Sequence, residues 1–153
     1  MAAVADPGVW DVATAWTGTL PQPLRQLLAA GRKEQFDQFI QEGLRQAPVA
    51  AATLAFRMRP FGVASPYDAF KAVEQYTLAG IADRIRCPVL ITDPEGEQFW
   101  PGQSQQLYDA LPGSKTLVKF TAAEGADLHC EVKNPGLRAQ RIFAWLDALL
   151  KAT

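Results

Sequence analysis

Hydrophobic residues in the first half of the chain recur every three to four positions, a period typical of amphipathic helices. Four helical segments are predicted at about residues 21–30, 33–46, 48–58 and 65–77, separated by prolines and glycines. The last has the clearest start, because Ser65 can cap the helix, Pro66 suits its first position and Asp68 follows in the first turn. Its predicted inward-facing side chains are Phe70, Val73 and Tyr76 or Thr77.

The pattern changes after Arg86. Residues 87–92 (CPVLIT) form a short, continuous apolar run, which is typical of a buried parallel strand. A helix carrying Leu107, Tyr108 and Leu111 follows, then a second strand at residues 116–120, in which Lys119 indicates a less buried position. A long helix starts after the cap residue Asn134, and its predicted buried face consists of Ile142, Trp145, Leu146, Leu149 and Leu150.

The order strand, helix, strand, helix predicts an α/β fold with about two parallel strands and flanking helices, preceded by a helical segment. Two strands are too few for a sheet covered on both faces, and a possible third at residues 2–4 is very short. An incomplete sheet would have an exposed edge, through which the chain could self-associate.

Composition and charge exclude several classes of partner. The formal charge is −1 and the basic residues are scattered, which argues against nucleic acid. No apolar stretch approaches the roughly 20 residues that span a bilayer, so no membrane association is expected. The start MAAVADPGVW does not resemble a signal peptide, and two cysteines do not make a disulfide framework; both predict a cytoplasmic protein.

Residues that could act in catalysis lie in the loops that follow the two strands. The first loop contains Asp93, Glu95 and Glu97, and the second contains His129, the only histidine of the chain. Loops that leave the carboxyl ends of adjacent parallel strands meet at one edge of the sheet, where doubly wound folds bind ligands. A carboxylate there can accept the Nδ1 proton of the imidazole and leave Nε2 to act as a base.

These segments resemble a known family. CPVLITDPEGEQFWPGQSQQLYDALPG and KTLVKFTAAEGADLHCE are similar to the carboxyl-terminal part of an α/β-hydrolase, of the branch with a helical cap that includes acyl-peptidase-like proteins and 2,6-dihydropseudooxynicotine hydrolases. The resemblance implies that His129 is the triad histidine and Glu97 its acid, with Asp93 as the alternative acid. It also implies that residues 1–13 leave a core strand, 14–85 form the cap and 86–153 complete the core.

The family's nucleophile elbow, G-x-S-x-G, does not occur in the sequence, whose three serines lie outside such a motif. The resemblance therefore implies that the nucleophile precedes Met1 and that this chain alone is inactive. Three hypotheses follow: the rear part of a serine-type hydrolase acting on a small acyl or carbonyl substrate, one half of a split enzyme, or a non-catalytic binding domain derived from a hydrolase.

Other residues in these loops have more ordinary interpretations. Cys130 is expected to be a packing residue rather than a nucleophile, and Asp127 a loop cap or a helper hydrogen bond. Trp100 is the best candidate for an apolar substrate pocket. No cofactor is expected, and no metal, because one histidine and two distant cysteines give no ligand spacing.

Overall fold

A computed structural model describes residues 1–151, which form two compact units: Val12–Thr77, and residues 1–11 together with those from Leu78 onward. Short 3₁₀ turns connect several of the helices and strands. The elements, in chain order, are β1 (Ala3–Ala5), α1 (Ala13–Thr17), α2 (Gln22–Ala29), α3 (Lys33–Leu44), α4 (Pro48–Met58), α5 (Pro66–Val73), β2 (Val89–Pro94), α6 (Gln103–Ala110), β3 (Lys115–Phe120) and α7 (Pro135–Lys151).

The helical unit, α1 to α5, is organised around an aromatic core. Phe36 and Phe70 are buried with Leu24 and Leu28, and the Phe36 and Phe70 rings meet edge to face at 5.4 Å. The predicted start of α5 is confirmed, since the Ser65 hydroxyl accepts a hydrogen bond of 3.2 Å from the Asp68 amide. Edge-to-face aromatic pairs of this kind add to the stabilisation from apolar burial.

Two details of this unit differ from prediction. α3 ends at Leu44, two residues before its predicted end, and α5 ends at Val73 rather than near residue 77. Tyr76 is 58% exposed, because it lies beyond the end of α5, where the helical period no longer applies. α4, in contrast, has the predicted bounds.

The second unit contains a parallel sheet in the order β1–β2–β3, so the prediction of an α/β class is confirmed. The prediction of about two strands was wrong, because residues 3–5 pair with residues 89–91 of β2. β1 is too short to be recognised from its own residues, because it is stabilised by pairing with β2, which is distant in the sequence. β2 is the central strand, and Val89–Thr92 are all buried, as the continuous apolar run predicts.

The sheet of this unit has a helix on each face. Val89 and Ile91 pack against Leu107 and Leu111, on and just after α6. Alternate residues of a strand face opposite sides of the sheet, and on the opposite side α7 contacts β3, where the Trp145 indole donates to the Thr116 hydroxyl at 3.2 Å.

Leu150 was predicted to face the core but is 75% exposed. α7 has 17 residues and β3 has six, which correspond to lengths of roughly 26 Å and 20 Å. Trp145 already contacts the beginning of β3, so the last turn of the helix extends past the strand.

The chain after β1 passes very close to β2 and α6. A Cβ atom on Gly8 would lie 2.5 Å from the Ile91 side chain and 2.8 Å from Cα of Ser104, so only glycine fits. Residues 78–85, predicted to belong to the cap, are in the sheet unit, where Leu78 donates to the Trp10 carbonyl at 2.9 Å. No helix among residues 1–151 is long and apolar enough to span a membrane.

Candidate active site

The loops that follow β2 and β3 lie at the same edge of the sheet and are joined through their backbones. The Glu95 amide donates to the Phe120 carbonyl at 2.9 Å, and the Gly96 amide donates to the Asp127 carbonyl at 2.8 Å. A Cβ atom on Gly96 would lie 3.1 Å from that carbonyl oxygen, so the close approach of the loops favours glycine. Glu95, Glu97 and His129 are therefore carried by directly connected segments.

His129 and Glu97 are in direct contact at this edge. His129 Nδ1 lies 2.9 Å from Glu97 Oε2 and 3.2 Å from Oε1. The Glu97 side chain is only 5% exposed, whereas the imidazole is 26% exposed. An ionised carboxylate only accepts hydrogen bonds, so this contact favours the neutral tautomer with its proton on Nδ1, in which Nε2 keeps its lone pair.

The Glu97 carboxylate is fixed by its own loop as well as by the histidine. Oε1 accepts hydrogen bonds from the amides of Phe99 at 2.8 Å and Trp100 at 3.2 Å. Charge-assisted hydrogen bonds of this type are stronger than neutral ones and restrict the carboxylate to one orientation. The Glu97 carboxylate is thus held in one orientation by its own loop.

Two aromatic rings contact the imidazole. The Phe99 ring meets it edge to face at 4.9 Å between centroids, and the Trp100 ring lies at 5.5 Å. Rings in these positions limit the rotation of His129 and provide apolar surface next to it. Trp100 was predicted from the sequence to line a pocket; Phe99, 47% exposed, is an additional aromatic contact that the sequence did not single out.

The alternative acid, Asp93, occupies a different environment. It lies within β2, in register with Lys119 of β3, and burial raises the pKa of its carboxyl while the nearby Lys119 lowers it. The acid that contacts His129 in the structure is Glu97.

The loop carrying His129 is attached to α7 through Glu124. Its carboxylate accepts hydrogen bonds from the amide and hydroxyl of Thr121 and pairs with Arg141 at 2.5 Å. The hydrogen bond from Arg141, followed by those from Thr121, lowers the pKa of Glu124 to about 2. Asn134 caps α7 as predicted, accepting from the Leu137 amide at 3.2 Å.

Directly after His129 the backbone enters the left-handed region twice. Cys130 has φ 51° and ψ 28°, and Glu131 has φ 46°. This conformation costs roughly 1–2 kcal/mol per residue for residues other than glycine, so surrounding contacts must stabilise it. Arg138 Nη1 donates to the Cys130 carbonyl at 2.9 Å, and the Cys130 thiol donates to the Asp6 carbonyl at 3.3 Å.

Cys130 has little thiolate character. Burial, followed by the charges of Asp6 and Glu131, raises the pKa of the thiol above its usual value of 9.0. A nucleophilic cysteine requires the opposite shift. Asp127 contributes mainly through its carbonyl, which joins the two loops, while its carboxylate lies 3.5 Å from Lys133.

Glu131, two residues after His129, is a buried acid. Its side chain is fully buried, and neither carboxyl oxygen accepts a hydrogen bond within residues 1–151. Burial, followed by the adjacent Asp6 carboxyl, raises the pKa of Glu131 to about 8. No local sequence signal separates it from a solvated glutamate, because Asp6 lies at the other end of the chain.

The three serines have structural positions. Ser65 caps α5, and the buried Ser104 hydroxyl donates to the Thr92 carbonyl at 2.8 Å and accepts from the Gly8 amide at 3.1 Å. Ser114 precedes β3 and so lies at the opposite end of this strand from the His129 loop. Within residues 1–151, therefore, no serine occupies a strand-to-helix elbow, and no three His, Cys, Asp or Glu side chains form a group that could bind a metal ion.

Comparison of the sequence with models of known protein families and with curated proteins gives no match.

Proposed function

We propose that this chain supplies the acid and the histidine of a serine-type α/β-hydrolase, with Glu97 orienting His129 as the general base. The observation that carries the proposal is the 2.9 Å contact between His129 Nδ1 and a buried Glu97 carboxylate at the carboxyl edge of a parallel sheet. That edge is where doubly wound α/β folds place their chemistry.

In the proposed reaction His129 Nε2 removes the proton from a serine hydroxyl, and the serine oxygen attacks the substrate carbonyl. The protonated imidazole then gives this proton to the leaving group, and water repeats the sequence to release the acyl group. Glu97 stabilises the imidazolium in both steps. The substrate class is a small ester, amide or ketone whose C–C bond is cleaved next to the carbonyl.

The aromatic contacts favour a substrate with an apolar group. Phe99 and Trp100 lie beside the imidazole, and Phe99 is 47% exposed. An apolar acyl or leaving group bound against these rings would be close to the base. Its polar reacting carbonyl would require hydrogen-bond donors at the position of the developing oxyanion.

The nucleophile and the oxyanion donors must come from polypeptide outside residues 1–151. The three serines in the sequence cap a helix, join β2 to α6, or lie at the wrong end of β3. A segment with the G-x-S-x-G motif would therefore have to complete the site, either in the same polypeptide or in a separate one.

The test uses a fluorophosphonate probe, which labels activated serines, and a panel of short-chain nitrophenyl esters. The 153-residue chain is assayed alone and after co-expression with the polypeptide encoded immediately upstream. We expect labelling and ester turnover only in the combination, and a loss of roughly 10²–10⁴-fold in the His129→Ala variant. Glu95→Gln, which changes a more exposed carboxylate of the same loop, is the matched control and should retain activity.

Other outcomes contradict the proposal. Labelling of the chain alone that is lost in His129→Ala would identify a nucleophile within it. If the upstream sequence encodes no G-x-S-x-G segment and the combination is not labelled, a non-catalytic binding domain becomes the better interpretation.

A further inference from the structure

Asp6 and Glu131 form a pair of neighbouring acids close to the turn that follows His129. The Glu131 side chain is completely buried, and the Asp6 carboxyl lies within hydrogen-bonding reach of it. The Thr92 hydroxyl, also beside Glu131, donates to Asp6 Oδ1 at 2.7 Å. Within residues 1–151 neither Glu131 oxygen accepts a hydrogen bond. A neutral Glu131 fits this environment, because its O–H can donate to Asp6, whereas a charged one would be unsolvated.

The same acid pair contacts the strained turn that follows His129. Glu131 is itself one of the two left-handed residues, with φ 46°. The Asp6 carbonyl accepts from the Cys130 thiol at 3.3 Å, and the Asp6 carboxylate lies 3.6 Å from Arg138, which donates to the Cys130 carbonyl. The conformation of residues 130–131 thus depends on both acids.

The charged and titratable groups that face Glu131 come from each neighbouring element. Asp6 follows β1, Arg138 lies on α7, and β2 contributes the uncharged hydroxyl of Thr92. Cys130 and His129 precede it in its own segment. Asp6 and a second carboxylate would repel each other, and the single Arg138, which lowers the pKa of Glu131, does not outweigh burial.

We propose that Asp6 and Glu131 are positioning residues: a neutral Glu131 donates its O–H to Asp6 and thereby maintains the turn at residues 130–131, which places the imidazole of His129 beside Glu97. Loss of the proton leaves a charged, fully buried Glu131 beside the Asp6 carboxylate, so the turn rearranges and His129 leaves Glu97. The proposal rests on the proposed function only in taking His129 as the base.

The proton should be lost at mildly alkaline pH. Burial and the neighbouring Asp6 raise the pKa of Glu131 to about 8. The Cys130 thiol titrates higher, because its pKa is raised above 9.0. Between pH 6.5 and 9 the acid pair can therefore be observed separately from the thiol.

The test is an NMR titration, which the single histidine makes unambiguous. The His129 Hε1 resonance and the amides of residues 129–131 are followed from pH 6.5 to 9 in the wild type, Glu131→Gln, Glu131→Leu and Asp147→Asn. We expect a shared transition with a midpoint at about pH 8 in the wild type. Asp147→Asn, which alters an exposed carboxylate on α7, should leave it unchanged.

The Glu131→Gln variant decides the outcome. Its amide can donate to Asp6 at every pH, so the wild-type spectrum at pH 6.5 should be retained and the transition near pH 8 lost. Glu131→Leu, which has no donor, should change the resonances of residues 129–131 already at pH 6.5. Protonation of the imidazole also moves the Hε1 resonance. This movement remains in Glu131→Gln, so it can be distinguished from the effect of Glu131.

Three results would overturn the proposal: a transition near pH 8 in the amides of residues 130–131 that persists in Glu131→Gln, the absence of this transition from the wild type, or a Glu131→Gln chain that does not fold. Enzymatic activity plays no part in this experiment. Failure of the hydrolase proposal would therefore leave the NMR result intact, and failure of the positioning proposal would leave serine labelling unaffected.

Discussion

Glu97 and Glu131 lie in the connected loops at one edge of the sheet, yet their surroundings differ. The Glu97 carboxylate accepts hydrogen bonds from two backbone amides and from His129. Within residues 1–151 Glu131 accepts none, and the carboxyl group beside it is that of another acid, Asp6. Both side chains are almost completely removed from solvent.

The difference shows that hydrogen-bond donors, rather than burial alone, determine what a buried carboxyl can do. With donors around it, Glu97 is suited to be a charged acceptor that orients an imidazole. Without donors, Glu131 is suited to be a neutral acid, and burial raises its pKa to about 8. In the roles proposed for them, Glu97 therefore orients the imidazole, and Glu131 shapes the backbone that carries it.

The largest expected effect is on the pH dependence of stability. Because folding raises the pKa of Glu131 from about 4.5 to about 8, the folded state binds the extra proton between these pH values, and the free energy of unfolding falls as the pH rises. The slope is at most about 1.4 kcal/mol per pH unit. Urea unfolding at several pH values should show that Glu131→Gln lacks this pH dependence of the free energy of unfolding, whereas Asp147→Asn retains it.

Replacing Glu97 should have a smaller effect on the free energy of unfolding. Glu97→Ala deletes the acceptor for two amides and for the imidazole, and we expect a loss of about 1–3 kcal/mol in the free energy of unfolding. Glu97→Gln keeps a carbonyl oxygen and should lose about half as much. Equal losses in the two variants, measured by urea unfolding at pH 7, would contradict the role assigned to the backbone donors.

The helix cap tests whether the two sites can be perturbed separately. Asn134 caps α7, and Arg138 of this helix donates to the Cys130 carbonyl in the turn after His129. Asn134→Ala should lower the free energy of unfolding by about 1 kcal/mol. NMR amide shifts should change at residues 130–131 and remain unchanged at residues 97–100; changes of equal size in both segments would show that the sites are not independent.

The smallest effect is expected at Phe99. Its side chain is 47% exposed but its ring contacts the imidazole at 4.9 Å. Phe99→Leu should change the free energy of unfolding by less than about 1 kcal/mol while shifting the His129 Hε1 resonance through loss of the ring current. An unchanged resonance would show that the ring does not lie against His129 in solution.

Much of the fold could be predicted because its signals are local. The α4 bounds, the Ser65 and Asn134 caps and the buried β2 follow from proline positions, cap residues and a continuous apolar run. β1 could not be predicted with the same certainty, since its three residues form a strand only through pairing with β2. Likewise the exposure of Leu150 depends on the length of β3.

The candidate site also has a part that could be predicted from local signals and a part that could not. That Glu97 and His129 share an edge follows from two strand-and-loop segments, and the structure brings these side chains together; their catalytic role stays a prediction. The Asp6–Glu131 pair joins residues from opposite ends of the chain. The left-handed turn likewise occurs at cysteine and glutamate, residues that carry no sequence signal for it.

The central claim is that Glu97 fixes the tautomer of His129, and a long-range ¹H–¹⁵N NMR spectrum of the imidazole tests it most directly. Since the chain has one histidine, both ring nitrogens are assigned without ambiguity. With the ring neutral, we expect the proton on Nδ1 and a free lone pair on Nε2 in the wild type, and loss of this preference in Glu97→Ala. A wild-type ring protonated on Nε2, or identical spectra for the two proteins, would contradict the account.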